Sequence, residues 1–501
     1  MIAKTISAIP YGFEGSIIDV EGDMNKGLPA FNIVGMANKT VTEARERVKS
    51  AIINSGFSFP DKKVTINLAP ADLLKDGSHL DLPIALTVLA LSRQISKSDL
   101  ENRLFVGELS LDGELRPIKG IINIIEVAKK AGYKEIYLPL KNASQASLIP
   151  DITVYGIKNL TELFLHLKGQ KILSPTKKSV VKNNKTDKNG PFLDHIRGQN
   201  YAKRALAIAI AGHHNILISG PPGAGKTLLA KVAANLLPPP TAEEQIAITK
   251  IHSLTDSSED IITSRPFRAP HHTASAVSII GGGAKALPGE ISLAHLGILF
   301  LDEIPEFNRS VLETLRQPME DKVISVSRAN MKTVYPADFM LVATMNPCPC
   351  GYLGDPTHEC TCSQTQIQAY TKKLSGPLFD RIDLVISVPK VDNSDLLKSA
   401  PKDNQEHIVV KNNITEALAR QRARYKKEGF YNSSLSSNQV SSLLSITDKA
   451  KEILTLASEK LNLSARSYFK VLKVAQTISD LEGSETIDAP QITEALSYRK
   501  R

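Results

Sequence analysis

The stretch Gly220-Pro-Pro-Gly-Ala-Gly-Lys-Thr227 decides the class of fold. It has the form G-x-x-x-x-G-K-[ST], a phosphate-binding loop. The apolar run Asn215-Ile-Leu-Ile-Ser219 leads into it and a helical pattern over Thr227–Leu237 follows. Strand, glycine-rich loop and helix in that order make an anion site from backbone N–H groups and a helix N-terminus. The residues Gly220, Pro221, Pro222, Gly223, Ala224, Gly225, Lys226 and Thr227 are therefore expected to cradle the phosphates of ATP. Lys226 would bridge the outer phosphates and Thr227 would hold Mg2+ through its hydroxyl. Downstream, a second apolar strand, Gly297–Leu301, ends in Asp302-Glu303. Asp302 is the expected magnesium carboxylate, directly or through water, and Glu303 is placed to polarise the attacking water. A third apolar run, Phe339–Ala343, leads to Thr344-Met345-Asn346, where Asn346 is positioned to orient that water. An α/β core that binds and hydrolyses a nucleoside triphosphate follows from these three strand ends.

The rest of the composition is that of an ordinary protein of two or three domains: 501 residues, 42% hydrophobic and 23% charged. No run of ~18 apolar residues suggests a membrane span. The first residues lack the apolar segment of a secretory signal, so a cytoplasmic setting is expected. A net charge of +9 fits an anionic partner such as nucleic acid, or a lysine-rich solvated surface. Aromatic residues make up only 5% and Trp is absent, which disfavours a stacking platform for single strands and favours contacts to the nucleic-acid backbone.

Along the chain, residues 1–169 alternate strand and helix patterns. Lys63–Leu68 alternates with period two, Thr40–Ser55 has helical spacing, and Leu80–Leu91 reads as a buried helix. Leu104–Leu115 reads as a hairpin turning at Asp112-Gly113. Residues 170–190 are lysine-rich with little apolar content, a flexible linker that is either solvated or touches nucleic acid. Residues 191–390 carry the phosphate-loop core, ending in the strand Leu384–Val388. Residues 391–501 turn helical, with helices expected over Ile414–Tyr425, Asn438–Leu444, Asp448–Leu461, Ser464–Leu481 and Ala489–Tyr498. A parallel sheet followed by a helical lid fits this order.

Two further features stand out inside the core. Arg265 to Gly289 is too rich in Gly and Pro for core structure and carries Arg265, Arg268, His271, His272 and Lys285. All four cysteines of the chain fall in Cys348-Pro-Cys350 and Cys360-Thr-Cys362. Two C-x-C pairs at this spacing suggest a closed structural Zn2+ site, with His358 as a substitute ligand; free thiols and disulfides are the alternatives.

The phosphate loop, carboxylate strand, polar strand end and helical lid resemble the AAA+ ATPases. Within that resemblance, Arg381, in Ser375-Gly-Pro-Leu-Phe-Asp-Arg-Ile-Asp383, matches the arginine finger that reaches a neighbouring subunit's nucleotide. Arg466, in Leu463-Ser-Ala-Arg466, matches the lid arginine at the same subunit's γ-phosphate. The Arg265–Gly289 segment resembles the helix-two insert that faces the pore of the ring. Asp338 stands where chelatase motors carry an arginine, which leaves Arg381 as the finger and Arg309 as the reserve.

The motifs Arg265-Pro-Phe-Arg-Ala-Pro-His-His272, Pro288-Gly-Glu-Ile-Ser-Leu-Ala-His295, Leu315-Arg-Gln-Pro-Met-Glu320, Asn346-Pro-Cys-Pro-Cys-Gly351 and Leu463-Ser-Ala-Arg-Ser-Tyr468 are closely similar to the YifB/ComM family of magnesium-chelatase-like ATPases. That resemblance spans the whole chain. It implies a homo-hexameric ATP-driven motor on single-stranded or branched DNA, a branch-migration helicase in recombination and natural transformation. Alternatives are a chelatase-type motor for metal insertion and an ATP-dependent protease. Residues 1–169 resemble the Lon-protease domain, of ribosomal-protein-S5-domain-2-like α+β fold, through Lys75-Asp-Gly77 and Gly113-Glu-Leu-Arg-Pro-Ile-Lys-Gly120. The catalytic spacing departs from active peptidases, and only a shifted Ser78/Lys119 dyad remains.

Overall fold

The alternation read over Lys63–Leu68 is a strand, Lys63–Ala69, whose Val64, Ile66 and Leu68 face inward. In the structure, a computed structural model, the described residues are 2–35, 39–73, 75, 78–177, 190–255, 261–283, 286–328, 331–355, 358–390 and 404–499. Lys63–Ala69 belongs to a seven-stranded mixed sheet. The spatial order is Ala30–Val34, Lys63–Ala69, Glu14–Asn25, Ile2–Tyr11, Arg103–Phe105, Glu135–Pro139 and Thr153–Ile157. The helix Asp81–Leu91 packs on this sheet and is buried at every residue, as its all-round apolar sequence requires. The helix Lys39–Asn54 is amphipathic and buries Ala44, Val48, Ala51 and Ile52.

The hairpin expected over Leu104–Leu115 is smaller than its pattern. Only Glu108–Leu109 and Leu115–Arg116 pair antiparallel about Asp112-Gly113. Arg103–Phe105 instead runs parallel between Ile2–Tyr11 and Glu135–Pro139, because Leu104 and Phe105 bury completely in the sheet. Of the linker, residues 178–189 lie outside the described residues. Its start is pinned to the sheet edge by Thr176 N–H donating to Val154 O at 2.7 Å.

The core sheet has five parallel strands in the order Phe267–Arg268, Ile298–Leu301, Met340–Met345, Ile216–Ser219 and Leu384–Ser387. Ile298–Leu301 and Met340–Met345 are buried along their whole length, the signature of a parallel sheet covered on both faces. Arg265–Gly289 is not the pure loop its Gly and Pro content suggests. Phe267–Arg268 forms the sheet's edge strand, and Ile279 and Ala286 are buried beneath the turn. A hairpin, Val323–Arg328 with Met331–Pro336, projects ahead of the strand Met340–Met345.

The helical segment contains helices Gln405–Tyr425, Ser437–Leu443, Asp448–Lys460, Ala465–Glu482 and Ala489–Ser497. The first starts nine residues before Ile414, where the sequence pattern begins. Its N-terminus is capped from afar, by the buried Asp194 carboxylate accepting N–H bonds from Glu406 (3.2 Å) and His407 (3.0 Å). Its first turns follow residues 391–403, which lie outside the described residues. Among the described residues no helix is long and apolar enough to cross a membrane.

The N-terminal sheet domain docks on the core through both polar and apolar contacts, with Ile246 and Ile261 packed on its apolar side chains. Gly120 N–H donates to Ser253 O at 2.8 Å, and Lys250 pairs with Glu126 at 2.6 Å. The Lys250 ammonium also lies 4.0 Å from the Phe13 ring centre. Phe13 in turn meets Tyr335 edge-on and donates its N–H to the Thr333 hydroxyl at 3.2 Å. The projecting hairpin therefore touches the N-terminal domain directly.

Candidate nucleotide site

The phosphate loop leaves the sheet at its carboxyl edge, where open α/β sheets bind ligands. Gly220 is dictated by space, since a Cβ there would lie 2.3 Å from the Val388 carbonyl oxygen. Gly223 and Gly225 take φ of +78° and +81°, which glycine adopts at least cost. Gly225 hands the chain to the helix Lys226–Leu236, whose first N–H groups face the loop. Lys226 Nζ donates to Gly220 O (2.5 Å), Pro221 O (3.0 Å) and Asn346 Oδ1 (3.0 Å). Burial holds the Lys226 ammonium below its ordinary pKa, so its charge gains from an anionic partner.

Strand register sets the other groups beside this loop. Leu301 lies opposite Ala343, and Ser219 opposite Met345, so Asp302, Thr344, Asn346 and Gly220 line one edge. Thr227 Oγ1 donates to Asp302 Oδ2 at 3.2 Å. The Thr344 hydroxyl donates to the other Asp302 oxygen and accepts the Glu303 N–H at 3.0 Å. Glu303 itself has a left-handed backbone, φ +52°, a costly conformation for a non-glycine residue and common at functional turns. Thr344, fully buried, thus orients both carboxylate residues. Its position on the last polar step of an apolar strand was the available signal. The set Thr227 and Asp302 fits Mg2+, which takes one or two protein oxygens beside those of the phosphates.

Arg381 and Arg466 lie elsewhere. Arg381 precedes the strand Leu384–Ser387, which runs parallel to Ile216–Ser219 with Leu384 level with Ile216. The phosphate loop follows Ser219. The two sites therefore sit at opposite edges of the sheet, separated by about 13 Å of strand at ~3.3 Å per residue. Arg466 is at that same far edge: it and Arg381 each bind one oxygen of Glu320 at 2.6 Å. This corrects the expectation that Arg466 meets its own subunit's γ-phosphate. The helix Ala465–Glu482 is anchored to the far edge through Lys470 Nζ, which donates to Ile382 O at 2.7 Å. Asp338 also lies there, paired with Lys322 at 2.8 Å, while Arg309, itself exposed, starts the short helix Arg309–Thr314.

The insert's basic residues are a second correction. Arg265 pairs with Glu244 at 2.7 Å and donates to Pro238 O and Leu296 O. Arg268 forms a fork on Glu290 at 2.6 and 2.7 Å. Both brace the fold; Arg265 is buried, while Arg268 keeps a partly exposed side chain tied to Glu290. The rings of His271 and His272 meet at a tilt, 4.2 Å between centres, and Lys285 lies outside the described residues.

The four cysteine Sγ atoms all lie within 4.8 Å of one another, with Cys348–Cys350 at 3.3 Å and Cys348–Cys360 and Cys350–Cys360 at 3.6 Å. A tetrahedral ion with metal–sulfur bonds of ~2.3 Å would space its sulfurs by about 3.8 Å, so the set fits zinc. Backbone N–H groups of Leu353 and Cys350 donate to the sulfurs of Cys348 and Cys362. His358 is outside the cluster and stacks on Tyr352. The cysteine loop rests on the phosphate loop: a Cβ on Gly351 would lie 2.8 Å from Pro222.

In the N-terminal domain, the Ser78 hydroxyl donates to the Glu108 carboxylate and Lys119 Nζ donates to Thr255 O at 2.6 Å. Each group has its own partner, and Lys119 helps to dock the domain. Asp76 and Gly77, beside Ser78, lie outside the described residues.

Three family models match the chain: magnesium chelatase, subunit ChlI, over residues 192–396; subunit ChlI of Mg-chelatase over 20–142; and the ChlI C-terminal region over 405–499. Competence protein ComM of Haemophilus influenzae is 42% identical over 99% of this chain and 97% of its own length. The protein YifB of Escherichia coli is 40% identical over 97% of the chain and 95% of its own. The magnesium-chelatase 67 kDa subunit of Chlorobaculum parvum is 25% identical over only 30% of this chain and 23% of its own. With these matches over its length, and with the parallel sheet, phosphate loop and helical segment described above, the chain belongs to the ComM/YifB family of magnesium-chelatase-like AAA+ proteins.

Proposed function

We propose that this protein is an ATP-hydrolysing motor that works as a homo-hexameric ring on single-stranded or branched DNA, and that it drives branch migration during recombination of incoming DNA. The observation that carries the reading is the division of the nucleotide machinery between opposite edges of one sheet. Lys226, Thr227, Asp302, Glu303 and Asn346 gather at the carboxyl edge, and Arg381 is held at the other. A side chain at the far edge serves a phosphoryl transfer only when a neighbouring copy presents its phosphate loop there. Arg381, with Arg466 beside it, is thus assigned to the neighbour's nucleotide. The residues 1–169, 191–390 and 391–501 act as the N-terminal domain, ATPase core and lid.

The DNA partner is supported by the net charge of +9 and by full-length likeness to a protein named for competence. The likeness to a chelatase subunit covers under a third of the chain, and Ser78 and Lys119 are bonded elsewhere, so metal insertion and proteolysis have weaker support. Zn2+ in the cysteine cluster would brace the loop against Pro222 and take no part in the chemistry.

Two measurements test this. ATP hydrolysis is expected to rise several-fold with single-stranded or four-way-junction DNA, and the protein to move the junction; turnover indifferent to DNA with no junction movement sinks the DNA reading. Separately, mixtures of Arg381→Ala and Lys226→Ala chains, each inactive alone, are expected to recover part of the ATPase activity. Mixed rings would pair an intact phosphate loop with an intact arginine. No recovery at any mixing ratio removes the assignment of Arg381 to the neighbour.

A further inference from the structure

The motif Leu315-Arg-Gln-Pro-Met-Glu320 ends in a carboxylate that neither the nucleotide site nor the fold's core uses. Glu320 lies on the short helix Arg316–Asp321, just ahead of the projecting hairpin, and its side chain is 43% exposed. Its two oxygens are divided between two arginines from distant parts of the chain: Oε2 takes Arg381 and Oε1 takes Arg466. Among the described residues Glu320 is the one ion-pair partner that either arginine has. The two guanidinium groups, Arg381 first, hold the Glu320 carboxyl below its ordinary pKa.

The geometry around the pair is that of a held group. The Arg381 side chain is only 8% exposed. It donates to Pro377 O at 2.5 Å, and its Nε is buried without a hydrogen-bond partner. The Arg466 side chain is 44% exposed. A cavity of about 680 Å³ opens beside them; Lys322, Lys427, Lys470 and Lys473 also line it, with Asp338 and Asp383 paired to Lys322 and Lys470. Two cations on one carboxylate leave an excess of positive charge in a wall that is already basic. Such a wall attracts a polyphosphate, yet each guanidinium is engaged by the carboxylate until something displaces it.

We propose that Glu320 is a latch on the arginine pair: in the free subunit it holds Arg381 and Arg466 together, and the outer phosphate of a neighbouring subunit's ATP must displace it to engage them. This rests on the proposed role of Arg381 across the subunit interface. A terminal phosphate carries more charge and more acceptor oxygens than a carboxylate, so it wins the exchange. Loss of that phosphate on hydrolysis returns the arginines to Glu320. Glu320 is thus a positioning residue whose competition makes the interface answer to the nucleotide's state.

The test is assembly of the full chain, followed by mass photometry against the concentration of the non-hydrolysable analogue AMP-PNP. Glu320→Gln is expected to assemble at about fivefold lower AMP-PNP, on the scale set by a half-exposed ion pair. Glu320→Ala should shift the same way, and both variants should assemble more readily than the wild type with ADP. An unchanged or raised AMP-PNP requirement overturns the latch. So does a lowered melting temperature in both variants with no gain in assembly, which would give Glu320 a structural role. Recovery in the Arg381→Ala and Lys226→Ala mixtures with an unshifted Glu320→Gln titration removes the latch alone. No recovery in those mixtures, or no assembly of the wild-type chain with AMP-PNP, removes the interface reading and the latch with it.

Discussion

Glu303→Gln is expected to lower ATP turnover by about a thousandfold while nucleotide binding stays near the wild-type value. The substitution keeps side-chain volume and the backbone N–H bond from residue 303 to the Thr344 hydroxyl, so the turn with φ +52° should survive. What it removes is an acceptor for the proton of the attacking water. Lys226, Thr227 and the loop N–H groups, to which the proposed function assigns the phosphates, are untouched. The variant should therefore accumulate in the ATP-bound state. Single-turnover hydrolysis alongside binding of a fluorescent nucleotide separates the two effects. Turnover within tenfold of wild type would move the general-base role away from Glu303. Weakened binding of the same size would mean that the residue holds the nucleotide.

The second large effect concerns the cysteine cluster. The purified chain is expected to carry about one zinc ion, and Cys348→Ser to carry none. Cys348 is fully buried, receives the Leu353 N–H, and sits among three other sulfurs. Without the metal ligand the loop is expected to loosen, and its packing of Gly351 against Pro222 to weaken. The melting temperature should fall by roughly 5 °C or more. The KM for ATP should rise more than kcat falls, because Pro222 shapes the phosphate loop and takes no part in bond making. Metal content by atomic emission, thermal melting and steady-state kinetics check this. A wild-type chain purified without chelator and free of zinc would end the metal reading.

How much was legible varies with the distance over which residues cooperate. The phosphate loop, Asp302-Glu303 and Asn346 were readable because each is a polar or glycine signal at the end of an apolar strand. Local spacing alone also marked the lid helices to within a few residues, save the start of Gln405–Tyr425. That start depends on Asp194, more than two hundred residues upstream, supplying the cap. Arg265 and Arg268 looked like ligands because composition counts charges without their partners; Glu244 and Glu290 neutralise them. The hairpin Val323–Pro336 was missed: Ile324-Ser-Val-Ser327 does alternate, but in the second strand the polar Thr333 is buried and the apolar Val334 exposed.

The sequence by itself determined the nucleotide chemistry, the family and the order of segments, since these are written in contiguous residues whose spacing matches strand, loop and helix geometry. Only the tertiary structure decided where the catalytic groups stand relative to one another. Thr344 becomes the support of Asp302 and Glu303 through strand register, and Arg381 and Arg466 meet on Glu320 at the edge opposite the phosphate loop. Strand direction and lid docking set these placements, through packing between residues far apart in the chain, and no local pattern carries that information.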